Sequence, residues 1–187
     1  MAARLCQLVF AVFAASALSP SCFAGGEADP GLTVVIVRHG EKPKHGENLT
    51  CQGENRAQQL PAILHRKFGK FDHIYVPTVA SHGDKTLHSR MFQTATPAAI
   101  RNDLEINSQF PGTDTDSVAK SVLEKKGTVL LVWNHTAVAK LAQSLGANPP
   151  VWKDWDYDSI WVITYPQGKA VLRQDAQKLS PSTECAG

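Results

Sequence analysis

The chain has 187 residues, 43% of them hydrophobic and 19% charged, with a formal net charge of +2 at pH 7. That length holds one domain with a proper core and little more, and the composition excludes a disordered or fibrous chain. The small net charge, with no Lys/Arg-rich run and no basic stripe interleaved with aromatics, argues against nucleic acid as a partner.

The first segment stands apart from the rest. Arg4 precedes an apolar run from Leu5 to Leu18, then Ser19-Pro20-Ser21 and small residues around Ala24. This pattern predicts a signal peptide over residues 1–24, cleaved near Ala24, and a single domain over residues 25–187. The run is shorter than the ~20 residues a membrane-spanning helix needs. The mature protein is therefore expected in the periplasm or secreted, without stable membrane insertion. Ser-Pro-Ser before Cys22 is a poor acylation signal. Cys6 and Cys22 would leave with the leader. Cys51 and Cys185 would remain in an oxidising setting, either as a disulfide tying the tail to the first helix or as two free thiols.

After a Gly/Pro-containing lead, Thr33–Val37 reads as a fully buried strand, nearly all apolar and β-branched. Thr50 to Phe68 reads as a helix, with Ala57, Leu60, Ile63, Leu64 and Phe68 three or four apart and Asn48 or Thr50 as N-cap. Pro61 inside that span points to a break or kink. His73–Val76 reads as a short strand, and the polar stretch through Ala80–Thr86 as irregular. Helical spacing returns over Ser89–Ile100 and Ser117–Lys126. Thr128–Trp133 is a second buried strand, and Thr136–Leu145 a helix stopped by Gly146. Ser159–Pro166 and Lys169–Gln174 read as a hairpin around Gln167-Gly168. Alternating strands and helices predict an α/β fold, a three-layer α/β/α sandwich whose mainly parallel sheet closes with a C-terminal antiparallel hairpin.

Ligands of such sheets gather beyond the carboxyl ends of the strands. Arg38-His39-Gly40 comes directly after the first buried strand and Asn134-His135 after the second, while Arg90 opens a helix. Two guanidiniums and two imidazoles suit a tetrahedral dianion: arginine keeps its charge, and its planar fork matches phosphate oxygens in pairs. Nearby positive charge and desolvation would hold an imidazole unprotonated, so that it can attack phosphorus once its far nitrogen donates to a carbonyl. Gly40 would let the main chain turn sharply and approach a ligand.

The segments Val34–Lys42 (VVIVRHGEK), Leu49–Ala57 (LTCQGENRA), Ser89–Ala95 (SRMFQTA) and Val129–Gly146 (VLLVWNHTAVAKLAQSLG) resemble the successive signatures of the histidine phosphatase superfamily, whose fold is also called phosphoglycerate-mutase-like. The resemblance implies that His39 is the nucleophile of a phosphohistidine intermediate. It further implies that Arg38, Arg90 and His135 bind the phosphoryl group, with no metal and no cofactor. Family members protonate the leaving group with a glutamate after the second arginine or an aspartate directly after the second histidine, where this chain has Thr136. Glu105, Asp114 and Asp116 are the candidates here, and the choice among them is open.

His45, His65, His73, His82 and His88 read as loop or surface residues, and no metal-binding spacing of histidines is present. Lys42, Lys44, His45 and Lys85 read as solvated surface more than as a pocket rim, and the tryptophans of Pro149–Trp161 as core or hairpin packing. The expected protein is an exported, metal-independent phosphomonoesterase acting on a small-molecule phosphate ester or a phosphoprotein. A phosphoglycerate mutase role fits an exported chain poorly. The competing expectation is an anion-binding protein of the same fold that lacks a positioned proton donor and turns nothing over.

Overall fold

The structure is a computed structural model that describes residues 28–29, 31–82 and 85–185. The predicted leader over residues 1–24 lies outside the described residues. Among the latter, no helix is long and apolar enough to cross a membrane.

Six strands form the main sheet: β1 (Thr33–Arg38), β2 (His73–Tyr75), β5 (Ile106–Asn107), β6 (Thr128–Trp133), β7 (Ser159–Thr164) and β8 (Val171–Ala176), in the spatial order β5-β2-β6-β1-β7-β8. The first four in that order run parallel, β7 runs antiparallel to β1, and β8 antiparallel to β7. The predicted sheet and closing hairpin are thus found. The turn between β7 and β8 is a short 3-10 segment, Pro166–Gly168, with Gln167 and Gly168 both at positive φ.

Period-two alternation sends the side chains of each central strand to two separate cores. Val34, Ile36, Val129, Leu131 and Trp133 face one layer, where they meet Val118, Val122, Val138 and Leu141. These come from α3 (Thr115–Leu123) and α4 (His135–Ser144). Val35, Val37, Leu130 and Val132 face the other layer, with Leu60, Leu64, Met91 and Ala95. These come from α1 (Cys51–Phe68) and α2 (Ser89–Asn102). Burial on both faces explains why β1 and β6 read as uninterrupted apolar runs.

Four local expectations change. Helix α1 runs unbroken through Pro61, which is buried. Ala57 and Leu60 before it and Leu64 after it are buried on one side of the helix, and that common burial holds the helix across the lost backbone bond. The stretch read as irregular forms a two-stranded ribbon, β3 (Ala80–His82) and β4 (Lys85–Leu87). Helix α3 starts two residues earlier than its apolar spacing indicates, because the Asp114 carboxylate caps it by accepting from Ser117 N–H at 3.2 Å. Strand β8 extends to Ala176, drawn on by its register with Ser159.

The tail packs back on α1. Cys51 and Cys185 form a disulfide, and Asn55 Nδ2 donates to the carbonyls of Ser182 and Glu184 at 2.9 and 2.8 Å.

Candidate active site

Register brings the first two predicted residues together. Arg38 pairs with Trp133, so His39 and His135 lie just past the carboxyl ends of adjacent parallel strands, ~5 Å apart in the sheet. His39 N–H donates to the Trp133 carbonyl at 3.2 Å, which continues the pairing one step past β1.

His39 is only 2% exposed. Its Nδ1 lies 2.7 Å from the Gly40 carbonyl, which can only accept, so Nδ1 carries the proton and Nε2 keeps its lone pair. Burial pushes the imidazole down to about 3, helped by the charges of Arg38 and Arg90 and by His135, with the Gly40 bond opposing. The ring is neutral across the physiological range.

The loop after His39 is anchored to α1. A Cβ on Gly40 would stand 2.6 Å from the Gly53 carbonyl, and one on Gly53 would stand 2.4 Å from the Glu41 carbonyl. Gly40 has no positive φ. Its role is this backbone-to-backbone approach to α1. Thr50, the N-cap of α1, accepts Gly53 N–H at 3.1 Å and donates its own N–H to the Glu41 carbonyl at 3.0 Å. Glu41 is paired with Arg56, which sends Nε to both carboxylate oxygens at 3.0 Å and Nη2 to one at 2.7 Å. Arg56 also reaches Gln177 at 2.9 Å, tying the loop after His39 to the tail.

Arg38 is 1% exposed and belongs to the loop between α4 and β7 as much as to its own strand. Its Nη1 donates to the carbonyls of Asp154 and Asp156, Nη2 reaches Tyr157 Oη at 3.3 Å, and the guanidinium stacks 3.9 Å from the Tyr157 ring centroid. Burial works against its charge, and Tyr157, Asp154 and Asp156 offset that. Arg90, on the first turn of α2, has a side chain 14% exposed; Nη1 donates to the Gly46 carbonyl at 2.6 Å and Nη2 pairs with Glu47 at 3.3 Å. His135 is the first residue of α4, behind its cap Asn134, which accepts Ala137 N–H at 2.9 Å. Its Nε2 meets Asp154 Oδ1 at 3.3 Å. Burial holds the His135 imidazole below its ordinary value, with Arg38 and Lys42 adding to the shift and Asp154 opposing it.

Four buried side-chain polar atoms have no hydrogen-bond partner among the described residues: Arg38 Nε, Arg90 Nε, His135 Nδ1 and Thr78 Oγ1. Buried polar groups are nearly always paired, and leaving one unpaired costs about 1–3 kcal/mol. Three of the four belong to the residues expected to grip a phosphoryl group.

The three acids left open by the sequence are all engaged or placed elsewhere. Asp114 caps α3, and Asp116 accepts from Ser144 Oγ at 2.6 Å. Ile106 is in register with Ile74 and so with Leu130 and Val35, which leaves Glu105 at the level of Val34. That is four residues, ~13 Å along the strands, short of Arg38. It lines a separate cleft at the sheet edge with Asp72, Asp103 and Lys125.

Sequence reasoning did not pick out Asp154, Tyr157 or the Glu41–Arg56 pair. The signal for the first two was the alternation Asp154, Asp156, Asp158 among aromatics, which reads as an ordinary loop until Arg38 is found beside it. Trp152 and Trp161 are buried and packed 4.6 Å apart, as expected, but Trp155 is 73% exposed. His88 is partly buried, its Nδ1 2.9 Å from the Thr78 carbonyl. Among the described residues, no three His, Cys, Asp or Glu side chains cluster as metal ligands would.

No protein-family model matches the chain, and no curated protein sequence does. Solved structures match at the level of fold. The protein histidine phosphatase SixA complexed with tungstate is 18% identical with a TM-score of 0.60, over 78% of this chain and 97% of that one. A mycobacterial glucosyl-3-phosphoglycerate phosphatase in complex with inorganic phosphate is 15% identical, TM-score 0.54, over 79% and 99%. The phosphoglycerate mutase of Bacillus anthracis is 13% identical, TM-score 0.53, over 77% and 92%. The sheet order, the helical layers on both faces and these likenesses together show the fold that the chain shares with these phosphatase and mutase structures.

Proposed function

We propose that the chain is an exported phosphomonoesterase that works through a phosphohistidine at His39 and needs no metal ion. One observation carries the proposal: Arg38 Nε, Arg90 Nε and His135 Nδ1 are buried polar nitrogens without partners among the described residues. A phosphoryl oxyanion would satisfy all three at once.

The chemistry rests on the protonation of His39. Nε2 attacks phosphorus, the bond to the ester oxygen breaks, and that oxygen takes up a proton to leave as the alcohol, a proton that the attacking water gives back in the second step. Arg38, Arg90 and His135 hold the transferring group and offset its charge, so the protein's own cations do what a metal ion does elsewhere. Water then attacks phosphorus, the P–N bond breaks and His39 returns to its neutral form. Export is supported by the leader-like residues 1–24 and by the Cys51–Cys185 disulfide. The structural likenesses include a protein histidine phosphatase and a phosphatase of a small sugar phosphate, so they favour neither phosphoprotein nor small ester.

The test is acid quench of the purified protein with labelled aryl phosphate, with and without chelator. The expected result is chelator-resistant turnover and an acid-labile, base-stable phosphoryl adduct on His39. Turnover abolished by chelator and restored by zinc overturns the metal-free mechanism. A second reading, phosphate binding without turnover, draws on the placement of Glu105, Asp114 and Asp116 away from the pocket. Saturable phosphate binding with no hydrolysis of any ester would establish it.

A further inference from the structure

A buried nucleophile fixes the direction of departure. His39 is only 2% exposed, so a phosphoryl group meets it from the solvent side, and in-line displacement places the leaving oxygen on the side of phosphorus away from His39. The acid that serves it must stand there. Asp154 does: its carboxylate is 89% exposed, yet Oδ1 lies 3.3 Å from His135 Nε2 and its carbonyl accepts from Arg38.

The backbone beneath that carboxylate is held. Trp152 packs on Trp161 and its Nε1 donates to the Asp156 carbonyl at 2.9 Å. Asp156 in turn accepts the N–H groups of Asp158 and Ser159 at 2.9 Å each and the Ser159 hydroxyl at 2.5 Å. A loop shaped this way presents one side chain from a fixed Cα.

The proton is accounted for as well. His135 Nε2 and Asp154 Oδ1 face each other at 3.3 Å, close enough for one proton to pass between them. That proton resides on either partner without a change in the charge of the pair. Burial of His135 and the nearby Arg38 guanidinium disfavour the imidazolium.

We propose that Asp154 protonates the departing oxygen. The proposal rests on the phosphatase reading above. In the first step His39 Nε2 bonds to phosphorus, the P–O bond to the leaving group breaks, and the Asp154 proton moves to that oxygen, giving neutral alcohol, phospho-His39 and the Asp154 carboxylate. In the second step the carboxylate takes a proton from the attacking water, the P–N bond breaks, and phosphate leaves with Asp154 protonated again. No further reactant is needed.

The experiment measures the first turnover of wild type, Asp154→Asn and Asp154→Glu on phosphate esters of rising leaving-group pKa, from dinitrophenyl through phenyl to alkyl. Asn keeps the main-chain carbonyl on Arg38, and a side chain this exposed can be replaced without loss of fold. The expected deficit of the Asn variant grows along the series, from a few-fold on the dinitrophenyl ester to about 10²–10³-fold on the alkyl ester. The Glu variant is expected to recover part of the alkyl rate. A deficit of the same size on every ester, or none on any, overturns the proposal and leaves the phosphatase reading standing. Failure of wild type to turn over any ester overturns both.

Discussion

The hydroxyl of Thr94 accepts the main-chain N–H of Gly40 at 2.9 Å and donates to the Arg90 carbonyl at 2.7 Å. This buried side chain joins the loop after His39 to the helix turn that carries Arg90. The motif Arg-x-x-x-Thr is therefore a mechanical link as well as a marker. Thr94→Val keeps the shape and removes the link, leaving Gly40 N–H buried and unpaired. A loss of about 1–3 kcal/mol is expected in urea unfolding, with a lower kcat/KM on aryl phosphate. Thr94→Ser should restore most of both. A Val variant as active and stable as wild type would show that the contact is dispensable.

Arg90 spends both Nη groups on the loop before α1, through Gly46 and Glu47, and its buried Nε has no partner among the described residues. A lysine has one compact charge and cannot do both. Arg90→Lys should lower kcat/KM by about 10²-fold, weaken inhibition by inorganic phosphate, and leave the melting temperature nearly unchanged. Unaltered phosphate inhibition would place Arg90 outside the pocket.

The neutral state of His39 has a cost in acid. Its imidazole is held at about 3 in the folded chain against 6.5 when free. Between those values the unfolded chain binds the extra proton and the folded chain does not. This residue's contribution is therefore level above pH 6.5 and falls as pH drops toward 3, by up to about 5 kcal/mol in all. His39→Gln removes that titration. Unfolding midpoints in urea at pH 7 and 4.5 should fall farther for wild type than for the variant. Equal falls would mean that His39 titrates normally.

The disulfide closes a separation of 134 residues, a long loop whose closure restricts the unfolded chain. The double variant Cys51→Ser, Cys185→Ser should lose about 2–5 kcal/mol of stability. Alkylation of the unreduced wild type should label neither thiol. Full labelling would mean that the pair is reduced in the protein as purified.

Much of the site was legible because its residues occupy strand ends. Val34–Val37 and Val129–Trp133 announce buried strands by composition, and in an open α/β sheet the residues just past such a strand stand at the ligand end. Arg38, His39 and His135 needed nothing more. Arg90 needed the spacing to Thr94. The acids were illegible for the opposite reason. Asp114 reads as a free loop carboxylate, but helix capping, a contact only three residues away in sequence, claims it. Glu105 fails through strand register, which local alternation does not reveal. Asp154 depends on a partner 19 positions earlier and on Arg38, 116 positions earlier.

The amino-acid order alone determined which segments are strands and helices, which strand ends carry charge, and that the charge is cationic and suited to phosphate. Those are properties of neighbours in the chain, set by side-chain periodicity and backbone sterics. Folding decided which buried polar nitrogens are left without partners, why Gly40 and Gly53 must both lack a Cβ, and which carboxylate stands beside His135. Each of these is a distance between atoms far apart in the chain, and only close packing sets such distances.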